Sequence, residues 1–509
     1  MKRSGYLLLV LFASLAHTPT VSTEGLRSYL QARRVLDAGV EAMGGLEAVR
    51  SVKTVRRQLA GGWTNPFQGQ HPYAVAGPSL TPPPTLFSDE FLSFIDYGGN
   101  RWFESLNESN SSGDRILQID VVTGDAGFES FAYFDEKPIY HPFDASDLPS
   151  LRAEKFRRYP EGLLRMALDR PETLQWVGAA EEFGRKQQVI SFADSMGTRL
   201  LLYFDQESSL LTKSEYLREQ AVVGDTYAEV LYSDYRQVGN LKLPFHYMDR
   251  VAGLAIEDVQ ASSIEVNAAL PEERFQPPQS FAAAVKDPPG PQVEKLGDNL
   301  YLIRGAYNVV FANFKDHVAV FEAPLNSGYA EACLRLIRKA LPGRPIRYLI
   351  STHFHSDHLG GVRPYIAEGV SILTTPDAKG VIEQIAASRR TLHPDALSKT
   401  PRSPVIETIA DNRVLDDGSY RAELYDFGPT DHVAQILVAY FPKEKLLFEP
   451  DLLDITSQDL VLTGPEGVTL AEKIRQLGLQ VERIIPVHGA PGTTESLNQA
   501  LAVRARHVH

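Results

Sequence analysis

The feature that most constrains this chain is a cluster of three histidines and one aspartate within six positions. The four residues are His353, His355, Asp357 and His358. The chain has only 13 histidines among its 509 residues, so a random distribution would rarely place three of them within six positions. They follow the apolar run 346–350, which has the character of a strand. On a tight loop after a strand, alternate side chains can converge on one metal ion, and the Asp357-His358 pair can then reach a second ion. Imidazole and carboxylate ligands suit zinc, with iron or manganese possible, so the cluster predicts a transition-metal site.

Three later residues extend this cluster along the sequence. They are His432, Asp451 and His488. Each lies at or just beyond the end of a short apolar run of the kind that forms a strand, so loops from several strands can bring them to one edge of a sheet. A lone histidine in such a loop is more often an ordinary polar residue, and the metal hypothesis therefore depends on the whole set.

In this order, the seven residues resemble the metal ligands of the metallo-β-lactamase superfamily, and the resemblance covers about residues 293–509. It implies an αββα sandwich that holds two zinc ions per chain, with iron or manganese possible. The ligands that it implies for the first ion are His353, His355 and His432. Those that it implies for the second ion are Asp357, His358 and His488, with Asp451 as a bridge. Glu322 stands where the superfamily usually has a structural aspartate.

The same resemblance implies a hydrolase in which a hydroxide shared by the two metal ions attacks the substrate. The expected substrate is a small molecule or an acyl compound with an ester, lactone, thioester or amide bond. Asp357 is the expected catalytic residue, because it can also move a proton to the leaving group. An alternative stays open, in which the chain is an exported lipid- or ligand-binding protein whose metal domain is structural or weakly active. The sequence predicts no oligomeric state.

The charge of the chain argues against a nucleic-acid partner. The formal net charge is -13 and the pI is about 5.5, whereas phosphate binding needs basic patches. Nuclease members of the superfamily insert a domain between the third and fourth motifs. Here only 19 positions separate His432 from Asp451 (451 minus 432). We therefore expect no nucleic-acid partner.

The N-terminus has the pattern of a secretory signal. Met1-Lys-Arg precedes the apolar run Tyr6–Leu15, which ends in small residues suited to cleavage near position 16. The run is shorter than the roughly 20 apolar residues that span a bilayer. We expect residues 1–16 to be a signal peptide and the mature chain to be periplasmic or secreted, with an uncleaved anchor as the alternative.

Between the signal and the metal motifs, the sequence predicts an α+β organisation with a β-rich first domain over residues 25–280. A helix at Leu26–Met43 stops at a glycine pair, and short apolar strands separated by turns follow, which is typical of an antiparallel sheet. Residues 281–292 are the expected linker and 293–509 the second domain. The loop 386–412 is long enough to lie over the metal site.

The first domain also bears a weaker resemblance to periplasmic lipoprotein-carrier sheets. The motifs that carry it include Met43–Leu46, Tyr203–Asp205 and Tyr232–Tyr235. This resemblance implies either a sheet that binds an acyl chain, with transient membrane or lipid contact, or a plain scaffold. Both interpretations remain open at this point.

Overall fold

The computed structural model describes residues 23–72, 87–110, 115–124, 126–133, 138–276, 290–457 and 460–507. The predicted signal peptide, and residues 281–289 of the predicted linker, lie outside the described residues. Within the described ranges, no helix combines the length and the apolar character that crossing a bilayer requires.

The N-terminal part begins with α1 (Thr23–Met43) and α2 (Leu46–Arg50), and α1 ends at the predicted glycine pair. The described residues that follow form one antiparallel sheet of thirteen strands. Its strands are β1 (Thr54–Trp63), β2 (Phe87–Asp96), β3 (Arg101–Asn110), β4 (Arg115–Thr123), β5 (Ala126–Tyr133), β6 (Ile139–Pro142), β7 (Gln175–Glu182), β8 (Arg185–Ala193), β9 (Arg199–Asp205), β10 (Leu211–Gln220), β11 (Gly224–Val238), β12 (Leu241–Val251) and β13 (Leu254–Val266). Between β6 and β7 lie α3 (Leu148–Arg157) and α4 (Pro160–Asp169). Consecutive strands pair from β1 to β6 and from β7 to β13, and β1 also pairs with β13, so that β6 and β7 lie at the two edges of the sheet.

Helices cover one face of this sheet. Leu36 and Val40 of α1, four residues apart and hence on one side of the helix, are buried in the same apolar cluster as Leu163 of α4. Phe192 and Leu202 of the sheet are buried in the same cluster. The short apolar strands that the sequence predicts after the glycine pair include β8 to β12, and each of these is antiparallel to the next. The prediction of a mixed, strand-rich fold is confirmed.

The C-terminal part contains two further large sheets. The strands of the first are β14 (Gln292–Lys295), β15 (Leu300–Arg304), β16 (Val309–Asn313), β17 (Val318–Phe321), β18 (Ile346–Ile350), β19 (Ser371–Thr374) and β20 (Val405–Thr408). Those of the second are β21 (Asn412–Asp416), β22 (Arg421–Asp426), β23 (Leu437–Phe441), β24 (Leu446–Glu449), β27 (Arg483–Pro486) and β28 (Gly492–Thr493). A separate hairpin consists of β25 (Asp454–Ser457) and β26 (Leu460–Leu462). The helices are α5 (Ser327–Ala340), α6 (Ser356–Leu359), α7 (Val362–Glu368), α8 (Pro376–Ala387), α9 (Ala396–Lys399), α10 (Pro465–Gln476) and α11 (Thr494–His507).

Strand periodicity explains how these layers pack. On β16, Val310 and Ala312 belong to an apolar core that also contains Leu424 and Phe441 of the second sheet. The alternate residues of β16 face the other way and belong to the core that contains helix α5 and its buried Cys333. The two sheets therefore share one apolar core, and helices pack on their outer faces.

Parallel pairing brings the predicted metal motifs to the same edges of these sheets. β17 is parallel to β18, and β24 is parallel to β27. The carboxyl ends of each parallel pair therefore lie side by side. Glu322, His353, Asp451 and His488 all follow the ends of these four strands.

Two of the places at which the described parts of the chain contact each other have hydrogen bonds across them. One is the segment Thr64–Pro72, which follows β1 and reaches the loops that carry the metal motifs. The other joins residues 389–392 to the β10–β11 turn, where Asp225 N donates to Arg389 O at 2.9 Å. Arg390 also pairs there with Glu219.

This second contact fixes part of the loop 386–412, which is long enough to lie over the metal site. Its residues 389–392 are held on the N-terminal sheet. The physical reason is charge and hydrogen bonding, because Asp225 accepts from the main chain and hydroxyl of Thr391, and Glu219 pairs with Arg390.

Candidate metal centre

The four clustered residues lie around the start of the one-turn helix α6. His353 and His355 are in the extended segment between β18 and α6, whereas Asp357 and His358 are on the helix. Gly360, at its end, packs against the main chain, since a Cβ there would be 1.9 Å from Leu325 O. A larger residue at position 360 would displace the helix that carries the aspartate and the third histidine.

Hydrogen bonds to neighbouring main-chain atoms fix the loops that carry His432 and His488. Next to His432, the Thr430 hydroxyl accepts from Val433 N at 3.0 Å. In the Asn308 amide, Nδ2 donates to the carbonyls of Pro486 and Gly489, which flank His488 in sequence, each at 2.8 Å. The first bond closes a turn within the His432 loop, and the other two tie the His488 loop to the residue before β16.

The structure brings all seven residues together in two adjoining groups. Within each group, the potential ligand atoms lie within 4.8 Å of one another. The members of the first group are His353, His355, His432 and Asp451, and those of the second are Asp357, His358 and His488. The six residues other than Asp451 are divided between the groups as in the two ligand sets that the resemblance implies.

Asp451 lies between the two groups. Its Oδ2 is 3.2 Å from His432 Nε2 and 3.3 Å from His353 Nε2 in the first group. In the second group, Oδ2 is 3.0 Å from His358 Nε2, and Oδ1 is 2.9 Å from His488 Nε2. A carboxylate in this position can contact ions in both groups.

Glu322 fixes the orientation of two of these imidazoles. It is fully buried, and its Oε2 accepts from Thr352 Oγ1 at 2.7 Å and from His358 Nδ1 at 3.0 Å. The Thr352 hydroxyl has a single proton, which it donates to this carboxylate. In the 3.0 Å contact between Thr352 Oγ1 and His353 Nδ1, the imidazole must therefore be the donor. Both rings therefore carry a proton on Nδ1, so that Nε2 is the atom of each ring that can bind a metal, and a carboxylate behind the ligands commonly acts in this way in metal sites.

The electrostatics of the centre also suit metal binding. Burial, with the neighbouring imidazoles, lowers the pKa of His353 well below its ordinary value, and burial lowers the pKa of His355 to about 3. Burial acts in the same direction on the pKa values of His358 and His488, but the carboxylates of Asp451 and Asp357, joined at His358 by Glu322, together outweigh it. The pKa of His358 is therefore raised well above its ordinary value and that of His488 to about 9. The first two rings are neutral ligands at pH 7, whereas an ion entering the second group must displace a proton.

The donor atoms present fit a transition-metal ion. Among the described residues, the Nε2 atoms of His353 and His432 are buried and have no hydrogen-bond partner, although buried polar atoms are normally satisfied. Both atoms point into the first group, and an ion bound there would satisfy them. Imidazole and carboxylate donors favour zinc-type ions over magnesium or calcium, which prefer all-oxygen sites.

One side of the centre is accessible to solvent. The side chains of His432 and His488 are 31% and 32% exposed, whereas those of His353 and His358 are 0% and 1% exposed. A substrate therefore approaches from the His432–His488 side.

Two further side chains reach the centre and were not predicted from the sequence. Tyr307 donates its hydroxyl to Asp357 Oδ2 at 3.2 Å, and its ring lies 4.4 Å from that of His488. Gln68 donates to Asp357 Oδ1 at 2.5 Å. Neither residue belongs to a motif with characteristic spacing, so the sequence offered no signal for them.

Comparison with known proteins agrees with this geometry. Residues 304–370 match the model of the metallo-beta-lactamase superfamily. An alkyl/aryl-sulfatase of Saccharomyces cerevisiae, BDS1, is 26% identical over 136 residues, and a linear primary-alkylsulfatase of a Pseudomonas species is 24% identical over 190 residues. These alignments cover 26% and 30% of this chain. The chain spans only 18% and 28% of the length of these relatives.

Solved structures similar to this chain include two metallo-β-lactamases. DIM-1 aligns with 43% of this chain and 99% of its own, at 18% identity and a TM-score of 0.34. The enzyme of Pontibacter korlensis aligns with 42% of this chain and 98% of its own, at 19% identity and a TM-score of 0.32. The residues matched by the family model include the four-residue cluster that begins at His353. The family model thus supports, over residues 304–370, the similarity of the C-terminal part to the metallo-β-lactamase superfamily that its motifs predicted.

Proposed function

We propose that this chain is a metal-dependent hydrolase that uses two metal ions. The observation that carries the proposal is the pair of adjoining ligand groups with the Asp451 carboxylate between them. Two sets of imidazole and carboxylate donors at one open edge are the arrangement of two-metal hydrolytic sites. We take zinc as the metal, with iron or manganese as alternatives, because the donor set suits all three.

When bound, the two ions would supply Lewis acidity toward a substrate oxygen and lower the pKa of a water molecule toward neutrality. The chain itself orients the donors and excludes water from the inner side. Glu322 holds two imidazoles in the required tautomer, and the buried His353 and His358 close the centre opposite the accessible side.

Asp357 is proposed as the residue that moves a proton. Although burial opposes it, the neighbouring His358 and His488 hold the pKa of Asp357 well below its usual range, so the carboxylate is ionised at pH 7. Its Oδ2 lies 3.4 Å from both imidazole Nε2 atoms and faces the accessible side. From there, the carboxylate can accept a proton from the attacking water and pass it to the leaving group.

The proposed substrates are small molecules with a hydrolysable ester-type bond. The chemistry of the site suits an ester, lactone, thioester or amide. Both relatives described above are sulfatases. We therefore add sulfate esters to the proposed substrate classes and would test them first.

The expected result is turnover of at least one substrate by the zinc-loaded full-length chain. The panel holds a nitrophenyl acyl ester, a lactone, an acyl thioester, a β-lactam and a medium-chain alkyl sulfate. His355→Ala should reduce the rate to background, because it removes a donor from the first group, and circular dichroism should show that the variant remains folded.

A chain that carries two ions and turns over no member of the panel would contradict the proposal. It would support the alternative, an exported lipid- or ligand-binding protein with a structural metal domain.

We further propose, from the N-terminal signal pattern, that the chain acts in the periplasm or outside the cell. Its partners would then be a small-molecule or acyl substrate and, through the N-terminal sheet, transiently a lipid surface.

A further inference from the structure

We propose that the segment Thr64–Pro72, which follows β1 of the N-terminal sheet, is part of the metal centre, and that Gln68 is a positioning residue for Asp357. The inference rests on the proposed function only in taking Asp357 as a metal ligand. Its consequence is that the N-terminal sheet contributes directly to the chemistry of a centre whose implied ligands all come from the C-terminal part of the chain.

Main-chain hydrogen bonds dock this segment on two of the loops that carry the implied ligands. Ser356 N, in the first turn of α6, donates to Phe67 O at 3.0 Å. Ala434 N, two residues after His432, donates to Gln70 O at 3.0 Å. The Phe67 side chain is 8% exposed and belongs to the apolar core of the C-terminal part. The segment is therefore held in register with the centre.

One of its carbonyl groups sets the tautomer of His355. Gly69 O lies 2.9 Å from His355 Nε2, and a carbonyl can only accept, so the imidazole must donate from Nε2. That leaves Nδ1 as the atom that can bind a metal. His355 thus has the opposite tautomer to His353 and His358, and the N-terminal sheet supplies the group that selects it.

The Gln68 amide is oriented toward Asp357 by a second residue of the same segment. Asn65 Nδ2 donates to Gln68 Oε1 at 2.8 Å, so the amide nitrogen faces the other way. That nitrogen donates to Asp357 Oδ1 at 2.5 Å. Asn65 is itself fixed, because its Oδ1 accepts from Phe67 N at 3.1 Å.

Asp357 is consequently held through both of its oxygen atoms. Gln68 occupies Oδ1, and Tyr307 donates to Oδ2, the atom nearest the imidazoles of the second group. With Oδ1 engaged, rotation about the Cβ–Cγ bond is restricted, and Oδ2 stays directed at the metal position. Outer-shell partners of this kind typically change metal affinity about 10–100-fold when they are removed.

The test measures zinc affinity rather than turnover, on the full-length chain. The dissociation constants of the first and second zinc equivalents are determined by chelator competition for wild type, Gln68→Ala, Gln68→Glu, Asn65→Ala and the double variant. Gln237→Ala is the matched control, because this exposed glutamine of the N-terminal sheet donates only to the carbonyl of Gly239 in a turn.

Gln68→Ala should weaken the second equivalent by about 10–100-fold and the first by less. Gln68→Glu should weaken it at least as much, since an isosteric carboxylate cannot donate at neutral pH and repels Asp357. Asn65→Ala should have a smaller effect, and the double variant should be no weaker than Gln68→Ala. The control should match wild type.

A wild-type-like affinity in Gln68→Glu would overturn the inference, because it would show that the side chain acts only by filling space. Equal weakening of both equivalents together with a lower melting temperature would also overturn it, in favour of a scaffold role. These results leave the proposed function standing. A wild-type chain that binds no zinc would overturn both, whereas zinc binding that depends on Gln68 without any turnover would overturn the proposed function alone.

Discussion

Replacing Asp451 with alanine is expected to abolish turnover and to weaken the binding of both metal ions. Asp451 is the only one of the seven candidate ligands whose two carboxylate oxygens together lie within 3.3 Å of imidazole nitrogens in both groups. Metal-ion catalysis contributes several kcal/mol of transition-state stabilisation, and 1.36 kcal/mol corresponds to a tenfold rate, so we expect a loss of about a thousandfold or more. The measurement is the rate on the best substrate of the panel, together with zinc content after dialysis.

The control for this variant is Asp431→Ala. Asp431 is an exposed carboxylate next to His432 and belongs to neither ligand group. It should retain the wild-type rate and zinc content. If Asp451→Ala kept the wild-type rate while Asp431→Ala lost it, the assignment of the bridging residue would be wrong.

Replacing Glu322 with glutamine is the second change with a large expected effect. The carboxylate accepts from His358 directly and is linked to His353 through Thr352, so its loss disturbs both imidazoles. By analogy with other outer-shell carboxylates, zinc affinity should fall about 10–100-fold. The fully buried position also predicts lower stability, which thermal unfolding would detect.

Thr352→Val separates the two branches of this network. It removes the link to His353 and leaves the bond between Glu322 and His358 intact, so only the first group should bind zinc more weakly. Chelator competition should then show one altered dissociation constant in Thr352→Val and two in Glu322→Gln. Unaltered affinity in both variants would contradict a role for Glu322 in orienting the imidazoles.

The metal motifs could be predicted from the sequence because their information is local. The spacing of His353, His355, Asp357 and His358 within one loop is visible without knowledge of the fold. The strands from β8 to β12 were also predictable, since alternating apolar residues and turn residues mark each of them. Glu322 was identified as a departure from the family pattern, and the structure shows that it still reaches His358.

The contacts between the two parts of the chain could not be predicted in the same way. Gln68 and Asp357 are 289 residues apart, and the polar side chains of the docked segment carry no periodic signal. The length of the loop 386–412 was visible in the sequence, whereas the partners of its residues 389–392, such as Asp225 on the N-terminal sheet, were not. Long-range pairing such as that of β1 with β13 is likewise invisible to local pattern.

The most direct test of the two-ion centre is the metal content of the chain purified without added metal or chelator. The structure predicts about two transition-metal ions per chain, predominantly zinc, because it has two adjoining ligand groups and Asp451 contacts imidazoles of both. Elemental analysis of the folded wild type measures the number of bound ions per chain. The Asp451→Ala variant, in which a lower metal content is expected, serves as the reference. A folded wild-type chain that holds no more than one ion, and takes up no second ion from zinc-supplemented buffer, would contradict the account.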